Sequence, residues 1–366
     1  VRAEQTFDSN RRLSSTRGDD TYGSGVTGQL RLRRRTETLD LSGIVLLEKV
    51  LYSGGDGLPD EDNQEARLES DYRTERDRFA LDVGYRRDSS LSSIREIDQS
   101  DDEVDQTEDG DTGLIDQRVR RHRTRVEPEW EHILTERTRT NLTYRYDDVF
   151  YSSAEGVNLN DFDRHRVIGA WTYDLSERDA FTVRTAYERF ESDDEDDTET
   201  DSWGLTLGLK RQFSERMVAD VRAGARYSDV DSDTDDGSDT GFLGRASVAR
   251  KLVNGSISAE VRETLTPSGS GQNNETREFR LKYRRKLLPR WSFLLRSRAF
   301  RDRSLGDDTG GDRTYFEATP VLRWDLTQWI SVEGKYRYRV VDRDTDNSTE
   351  DSHALGLSVR YTPPSK

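Results

Sequence analysis

The feature that most constrains this chain is a period of two that recurs from end to end. Trp203, Leu205, Leu207 and Leu209 are apolar, and Gly204, Thr206 and Gly208 between them are small or polar. Val332, Tyr336, Tyr338 and Val340 alternate in the same way with Glu333, Lys335, Arg337 and Arg339. The rhythm returns at Phe79, Leu81, Val83 and Tyr85, at Phe181, Val183 and Tyr187, at Phe279, Leu281 and Tyr283, and at Leu355, Leu357, Val359 and Tyr361. A helix would space its apolar residues by three and four. Strict alternation instead gives strands with one apolar and one polar face.

A second rhythm lies in the connections. Short turns of related chemistry occur at Thr74-Glu75-Arg76, Thr135-Glu136-Arg137, Ser176-Glu177-Arg178 and Ser214-Glu215-Arg216. Thr36-Glu37-Thr38, Val253-Asn254-Gly255, Leu288-Pro289-Arg290 and Leu326-Thr327-Gln328 fill equivalent places. Apart from one interval, the centres fall 35–41 residues apart, which is one strand out, a loop, and one strand back. Long polar loops alternate with these turns, at residues 53–63, 88–113, 152–160, 191–201, 229–239, 266–275, 302–312 and 342–351. The period could also mean a propeller or solenoid, but neither requires every long loop to alternate with a short turn. Eight turns join sixteen strands, and single strands near 1–13 and 352–361 raise the total to eighteen, or leave it at sixteen if the first does not pair. Short turns at one end and long loops at the other are the layout of an outer-membrane β-barrel.

A soluble sandwich alternates too, so composition has to decide. Only 31% of residues are hydrophobic and 36% are charged, against roughly 45–50% apolar in an ordinary soluble domain. Such values also suit disorder, yet 6 Trp, 15 Tyr and 12 Phe occupy regular positions. Trp130, Tyr173, Phe213, Trp291, Trp324 and Trp329 lie beside short turns; Tyr52, Tyr144, Tyr187, Tyr227 and Tyr338 lie nearer the loops. Two aromatic girdles at lipid–water boundaries produce that distribution. No apolar run reaches the roughly 18 residues of a membrane helix. Closure into a barrel satisfies every strand edge, as a bilayer demands. The fold expected is an all-β, single-domain, antiparallel up-and-down barrel over residues 1–366 in a Gram-negative outer membrane. The chain opens on Val1 and its one methionine is Met217, which a removed export signal or a shortened chain explains. Without cysteine there is no disulfide framework and no thiolate metal site.

The net charge of −16 hides a separation. Residues 98–112 and 191–201 carry eight acids each and no base, 229–239 carry six acids, and 342–351 carry five with one arginine. These four loops hold −26, so the rest of the chain is +10. Strand phasing turns Arg31, Arg33, Arg67, Arg73, Arg139, Arg145, Arg184, Arg222, Arg226, Arg262, Arg280, Lys282, Arg284, Arg296, Arg298, Lys335, Arg337 and Arg339 toward the lumen. Arg86, Arg164, Arg166, Arg245 and Arg360 share that phase, as do the acids Glu69, Asp71, Asp82, Asp147, Glu188, Asp220, Glu260 and Glu333. These charges either form cross-strand networks that stiffen a wet wall, or leave surplus guanidinium as a track for an anionic solute.

Asp229, Asp231, Asp233 and Asp235 look superficially like a calcium loop, but Gly237 is seventh from Asp231, where the EF-hand pattern wants it sixth. Solvated loops are the simple reading, and loose divalent-ion bridging to lipopolysaccharide or acidic polysaccharide is the alternative. His122, His132, His165 and His353 lack metal-ligand spacing. No phosphate loop or nucleophile elbow occurs, so neither catalysis nor a cofactor is expected. Nucleic acid is excluded as a partner, because the bases are dispersed on strands and the rim is acidic.

The opening, from Val1 through Asp8 and Asn10 to Leu13, resembles the first strand of proteobacterial outer-membrane barrels associated with exopolysaccharide and exosortase (PEP-CTERM) systems. Residues 39–52 and the Ser/Thr-Glu-Arg turns are similar to that group as well. The resemblance implies polysaccharide secretion, with periplasmic export components as partners. The function expected is therefore a porin-like conduit exporting an anionic exopolysaccharide. A general diffusion porin and a structural sleeve for a partner protein are the alternatives. An eighteen-strand perimeter is wide enough for an aqueous channel.

Overall fold

The computed structural model describes residues 1–11, 13, 20–54, 60–89, 119–152, 159–193, 197–232, 237–267, 273–304, 312–343 and 348–363. They form eighteen strands: β1 (Arg2–Asp8), β2 (Thr21–Arg35), β3 (Leu39–Gly54), β4 (Glu61–Arg73), β5 (Asp77–Ser89), β6 (Arg120–Thr135), β7 (Thr138–Ser152), β8 (Phe162–Asp174) and β9 (Asp179–Ser192). The circuit continues through β10 (Glu199–Ser214), β11 (Met217–Asp231), β12 (Gly237–Leu252), β13 (Gly255–Pro267), β14 (Asn273–Leu288), β15 (Trp291–Ser304), β16 (Arg313–Asp325), β17 (Ile330–Arg343) and β18 (Ser348–Tyr361). Each strand pairs antiparallel with its chain neighbours. β1 closes the ring, with Asp8 opposite Ala354 of β18 on one side and Thr21 of β2 on the other. The first segment is thus part of the wall, and the count is eighteen.

All eight short turns fall where the sequence places them, and the hydroxyl in their signature has a job. Ser176 Oγ accepts hydrogen bonds from the amides of Arg178 (3.1 Å) and Asp179 (3.0 Å). Thr74 Oγ1 accepts from Asp77 N at 2.9 Å, and Thr327 Oγ1 from Ile330 N at 3.0 Å. A side-chain oxygen that satisfies turn amides is the reason Ser and Thr recur there.

Exposure is the reverse of a soluble protein's. Leu205, Leu207 and Leu209 are about half exposed on the outside, whereas Ser202 and Ser228 inside are buried and hydrogen-bonded to each other at 2.8 Å. Aromatic groups band both ends of the outer face. Trp291 stacks on Trp324 beside the short turns, with ring centroids 5.2 Å apart. Nearer the loops, Trp203 lies between Tyr187 (5.5 Å) and Tyr227 (6.1 Å). Tyr52 departs from the girdle expected of it: it pairs with Gly23 on the inward face and carries Arg11 over its ring at 4.6 Å. β3 is apolar on both faces, turning Ile44, Leu46 and Val50 inward, so alternation could not phase it.

Apart from β1, the strands run 13–16 residues, longer than the roughly 9–11 that cross a bilayer. They continue past the outer boundary, so Glu191, Glu199 and Asp231, expected in loops, sit on strand ends. Asp148, Asp163, Glu191, Glu199 and Asp231 form a directly opposed, outward-facing row across β7 to β11. Residues 98–112, the most acidic stretch, lie outside the described residues.

Candidate functional site in the lumen

The register puts all eighteen predicted bases on the inward face, and distance from the short turns sorts them. Arg31, Arg33, Arg73, Arg139 and Arg284 lie near the short-turn mouth, where Arg33 meets Asp40 at 2.5 Å and Arg139 meets Asp174 at 3.3 Å. Arg73 shares Asp71 with Arg78, at 2.6 and 2.7 Å. Arg67, Arg145, Arg184, Arg222, Arg262, Arg280, Lys282, Arg296, Arg298, Lys335 and Arg337 form a middle tier. Arg226 and Arg339 stand highest, toward the loops.

The upper tier is densely packed. Asp8 takes Arg337 at 3.1 Å, Arg339 at 3.0 Å and the hydroxyl of Ser352 at 2.6 Å. Arg339 also donates to the carbonyls of Asn10 (3.4 Å) and Arg11 (3.2 Å), and Arg343 donates to that of Leu13 (3.1 Å). The chain after β1 is thereby drawn inside the barrel. Leu13, with φ of 53°, seats among Phe300, Tyr315 and Val341, while Arg11 reaches Glu61 at 3.2 Å. Burial works to lower the proton affinity of the Arg11 guanidinium; Tyr52, Glu61 and Asp8 outweigh it and leave it raised. On the other side, Val119, Val149, Tyr151, Leu159, Phe162 and Phe190 form a second small apolar cluster. Below it, Asp147 accepts from Arg125 at 2.7 Å and Arg164 at 2.8 Å, and level with it Arg121 pairs with Asp88 with both side chains 1% exposed.

In the middle tier Glu278 is the hub of three guanidiniums, Arg262 at 2.6 Å, Arg280 at 2.8 Å and Arg298. Arg67 pairs with Asp82, Arg145 with Glu127, and Lys335 with Glu4 at 2.7 Å. Acids do not fill every opposing position. Arg145 faces Arg166, Arg222 faces Arg245, Arg245 faces Arg262, Arg280 faces Arg298, and Lys282 faces Arg296. Like charges directly opposite destabilise a sheet. Higher up, glycine makes room for a base: the guanidinium of Arg226 lies where a side chain on Gly241 would stand.

Sequence reading missed Arg121, Arg123 and Arg125, which follow the long 88–113 segment and so had no strand to be phased on. It also missed Arg313 and the pairing of three histidines. Tyr85 meets His122 at 2.9 Å, Tyr144 meets His165 at 2.7 Å and Tyr336 meets His353 at 2.6 Å, all on the outer face near the loops. Asp229 and Asp231 lie on β11, opposite Asp201 and Glu199 of β10. Asp233 and Asp235 lie outside the described residues, and among those described no group of three acids or histidines is placed to hold a metal ion.

These features define an outer-membrane-type β-barrel with a charged lumen. No family model matches the chain, and no curated protein is significantly similar to it. Solved structures are similar in fold. The FrpB iron transporter from Neisseria meningitidis (F5-1 variant) is 8% identical with a TM-score of 0.50, over 98% of this chain and 81% of that one. The ferric-catecholate import receptor Fiu from E. coli K12 is 11% identical, TM-score 0.45, over 98% and 81%. The ferric citrate transporter FecA is 13% identical, TM-score 0.47, over 99% of this chain and 63% of that one. At such identities the likeness concerns the fold: a closed transmembrane barrel.

Proposed function

We propose that this barrel is an outer-membrane channel for an anionic solute, and that an acidic exopolysaccharide passing outward is the cargo. The observation that carries the reading is the run of directly opposed bases in the middle tier, from Arg222 through Arg245 to Arg262 and across Arg280–Arg298 and Lys282–Arg296. A wall whose only task was rigidity would gain more from alternating signs. Opposed guanidiniums instead supply forks that match carboxylates, as rings of Arg and Lys do in anion-selective pores. The resemblance of residues 1–13 and 39–52 to barrels of exopolysaccharide systems supports a polymer over a small solute. A sleeve around a partner protein is the second reading, favoured by the tight packing of the upper tier around Asp8 and Leu13.

Planar-bilayer recording with the purified barrel tests this. The expected result is an open pore that prefers chloride over potassium. Replacing Arg280, Lys282, Arg284, Arg337 and Arg339 by glutamine should move the reversal potential toward cation preference. A silent barrel favours the sleeve, and an open pore with unmoved selectivity removes the track.

A further inference from the structure

Arg184 differs from the other arginines of the middle tier around it. Arg145 has Glu127, Arg166 has Glu188 at 3.4 Å, Arg222 has Asp220 at 2.9 Å, and Arg245 has Glu260 at 2.6 Å. Among the described residues no carboxylate pairs with Arg184, and the charges that act on it most strongly are those of Arg166, Arg222, Arg145 and Arg245. Its neighbours on the inner wall are small: Ala170 on β8, Thr206 on β10, and Thr182 and Ala186 on its own strand. The aliphatic stem of Arg222 lies against Gly208, within 3.0 Å of where a Cβ there would sit, which holds that guanidinium on the same stretch of wall.

Five guanidiniums and four carboxylates leave one positive charge uncompensated, at Arg184, which is half-buried. A charge withdrawn from water without a counter-ion is costly to keep, and four surrounding cations add to that cost. An oxyanion from solution removes both penalties, and the planar fork of arginine recognises carboxylate and phosphate in the same bidentate way. We propose that Arg184 is the centre of a saturable oxyanion-binding site in the lumen, taking a carboxylate or phosphate group of the passing solute in the place of the acid it lacks. This rests on the reading of the lumen as an anion path, and it makes that path a stepwise one with a definite station on β9.

Isothermal titration calorimetry of the whole barrel in detergent tests it without requiring the pore to conduct. Sodium phosphate and sodium glucuronate are the probes, at constant ionic strength. Near one equivalent should bind to the wild-type protein, at least tenfold more weakly to Arg184→Gln, and with intermediate strength to Arg184→Lys, which keeps the charge and loses the fork. Arg34→Gln removes the same charge from the outer face of β2 and should bind as wild type does. Heat-modifiable electrophoretic mobility confirms that each variant is folded. Tighter binding of glucuronate identifies a uronic-acid polymer, and tighter binding of phosphate a phosphorylated one. No saturable binding to wild type, or equal binding to Arg184→Gln, overturns the site. An anion-selective pore without this binding would keep the channel and lose the station; binding in a silent barrel would do the reverse.

Discussion

Glu278 shows what single residues contribute to this wall. It is 2% exposed and is the shared counter-ion of Arg262, Arg280 and Arg298, which come from three adjacent strands. Removing one partner of a buried ionic cluster costs about 3–5 kcal/mol, because the remaining charges stay behind without compensation. Glu278→Gln preserves the shape and deletes the charge, so the barrel should lose stability on that order. The measurement is the temperature at which the folded, fast-migrating form converts to the unfolded one on gels, and it should drop clearly. Arg33→Gln is the contrast. Its partner Asp40 stands in solvent at the mouth, with the arginine side chain 59% exposed, and exposed pairs contribute about 0–1 kcal/mol. Its conversion temperature should stay near that of wild type. A Glu278 variant as stable as the Arg33 variant would mean that the hub is water-filled and only weakly coupled.

A strand here is two rows with opposite tasks, and β10 separates them cleanly. Leu207 points outward at mid-strand between Ala223 of β11 and Val183 of β9, while Thr206 points inward between Gly224 and Arg184. An arginine facing lipid at mid-depth costs about 2–4 kcal/mol, whereas a lumenal substitution that breaks no buried ion pair acts on selectivity. Leu207→Arg should therefore fold poorly into lipid vesicles, by protease protection, and Thr206→Gln, a lumenal change that sets no new charge opposite Arg184, should fold nearly like wild type. Equal yields from both would remove the assignment of Leu207 to the lipid face. Alternation makes this much readable in the sequence: most strands and their phase, the eight turns and the eighteen inward bases follow from a local period. What stayed hidden is non-local. That Glu278 serves three strands depends on register, which no single strand encodes, and the same holds for Tyr85 with His122. β3 defeated the method for another reason. Residues 44–51 are apolar on both phases apart from Glu48 and Lys49, so nothing in the pattern separates a girdle position for Tyr52 from the lumenal one it occupies. The arginines at 121, 123 and 125 were lost because the preceding long insertion hid where β6 begins.

At the scale of the whole molecule, everything depends on seven residues. β1 is half the length of its neighbours, yet Arg2 to Asp8 pair residue by residue with Arg360 to Ala354 of β18 and with Thr27 to Thr21 of β2. Below that contact, the stretch from Gly28 to Arg35 of β2 pairs with β3 alone. The closing strand thus meets the loop-side half of β2 and the turn-side half of β18, and Asp8 ties its end to Arg337 and Arg339 through charge as well. Without it, β2 and β18 would present two rows of unpaired amides and carbonyls to hydrocarbon, where nothing replaces the missing partners. Unpaired edges of that length join other chains. A chain lacking residues 1–10 should accordingly fail to give the heat-modifiable monomer in detergent and should aggregate or dimerise, as size-exclusion chromatography would report. Adding a synthetic peptide of residues 1–13 during refolding should recover monomer, because the peptide supplies both rows of hydrogen bonds, the Asp8 carboxylate and the Leu13 side chain that fills the socket of Phe300, Tyr315 and Val341. The same peptide with Asp8→Ala and Leu13→Ala should recover less. If the truncated chain folds to a stable monomer unaided, β18 and β2 can reach each other directly, and a seventeen-strand closure with a parallel seam is available to this sequence.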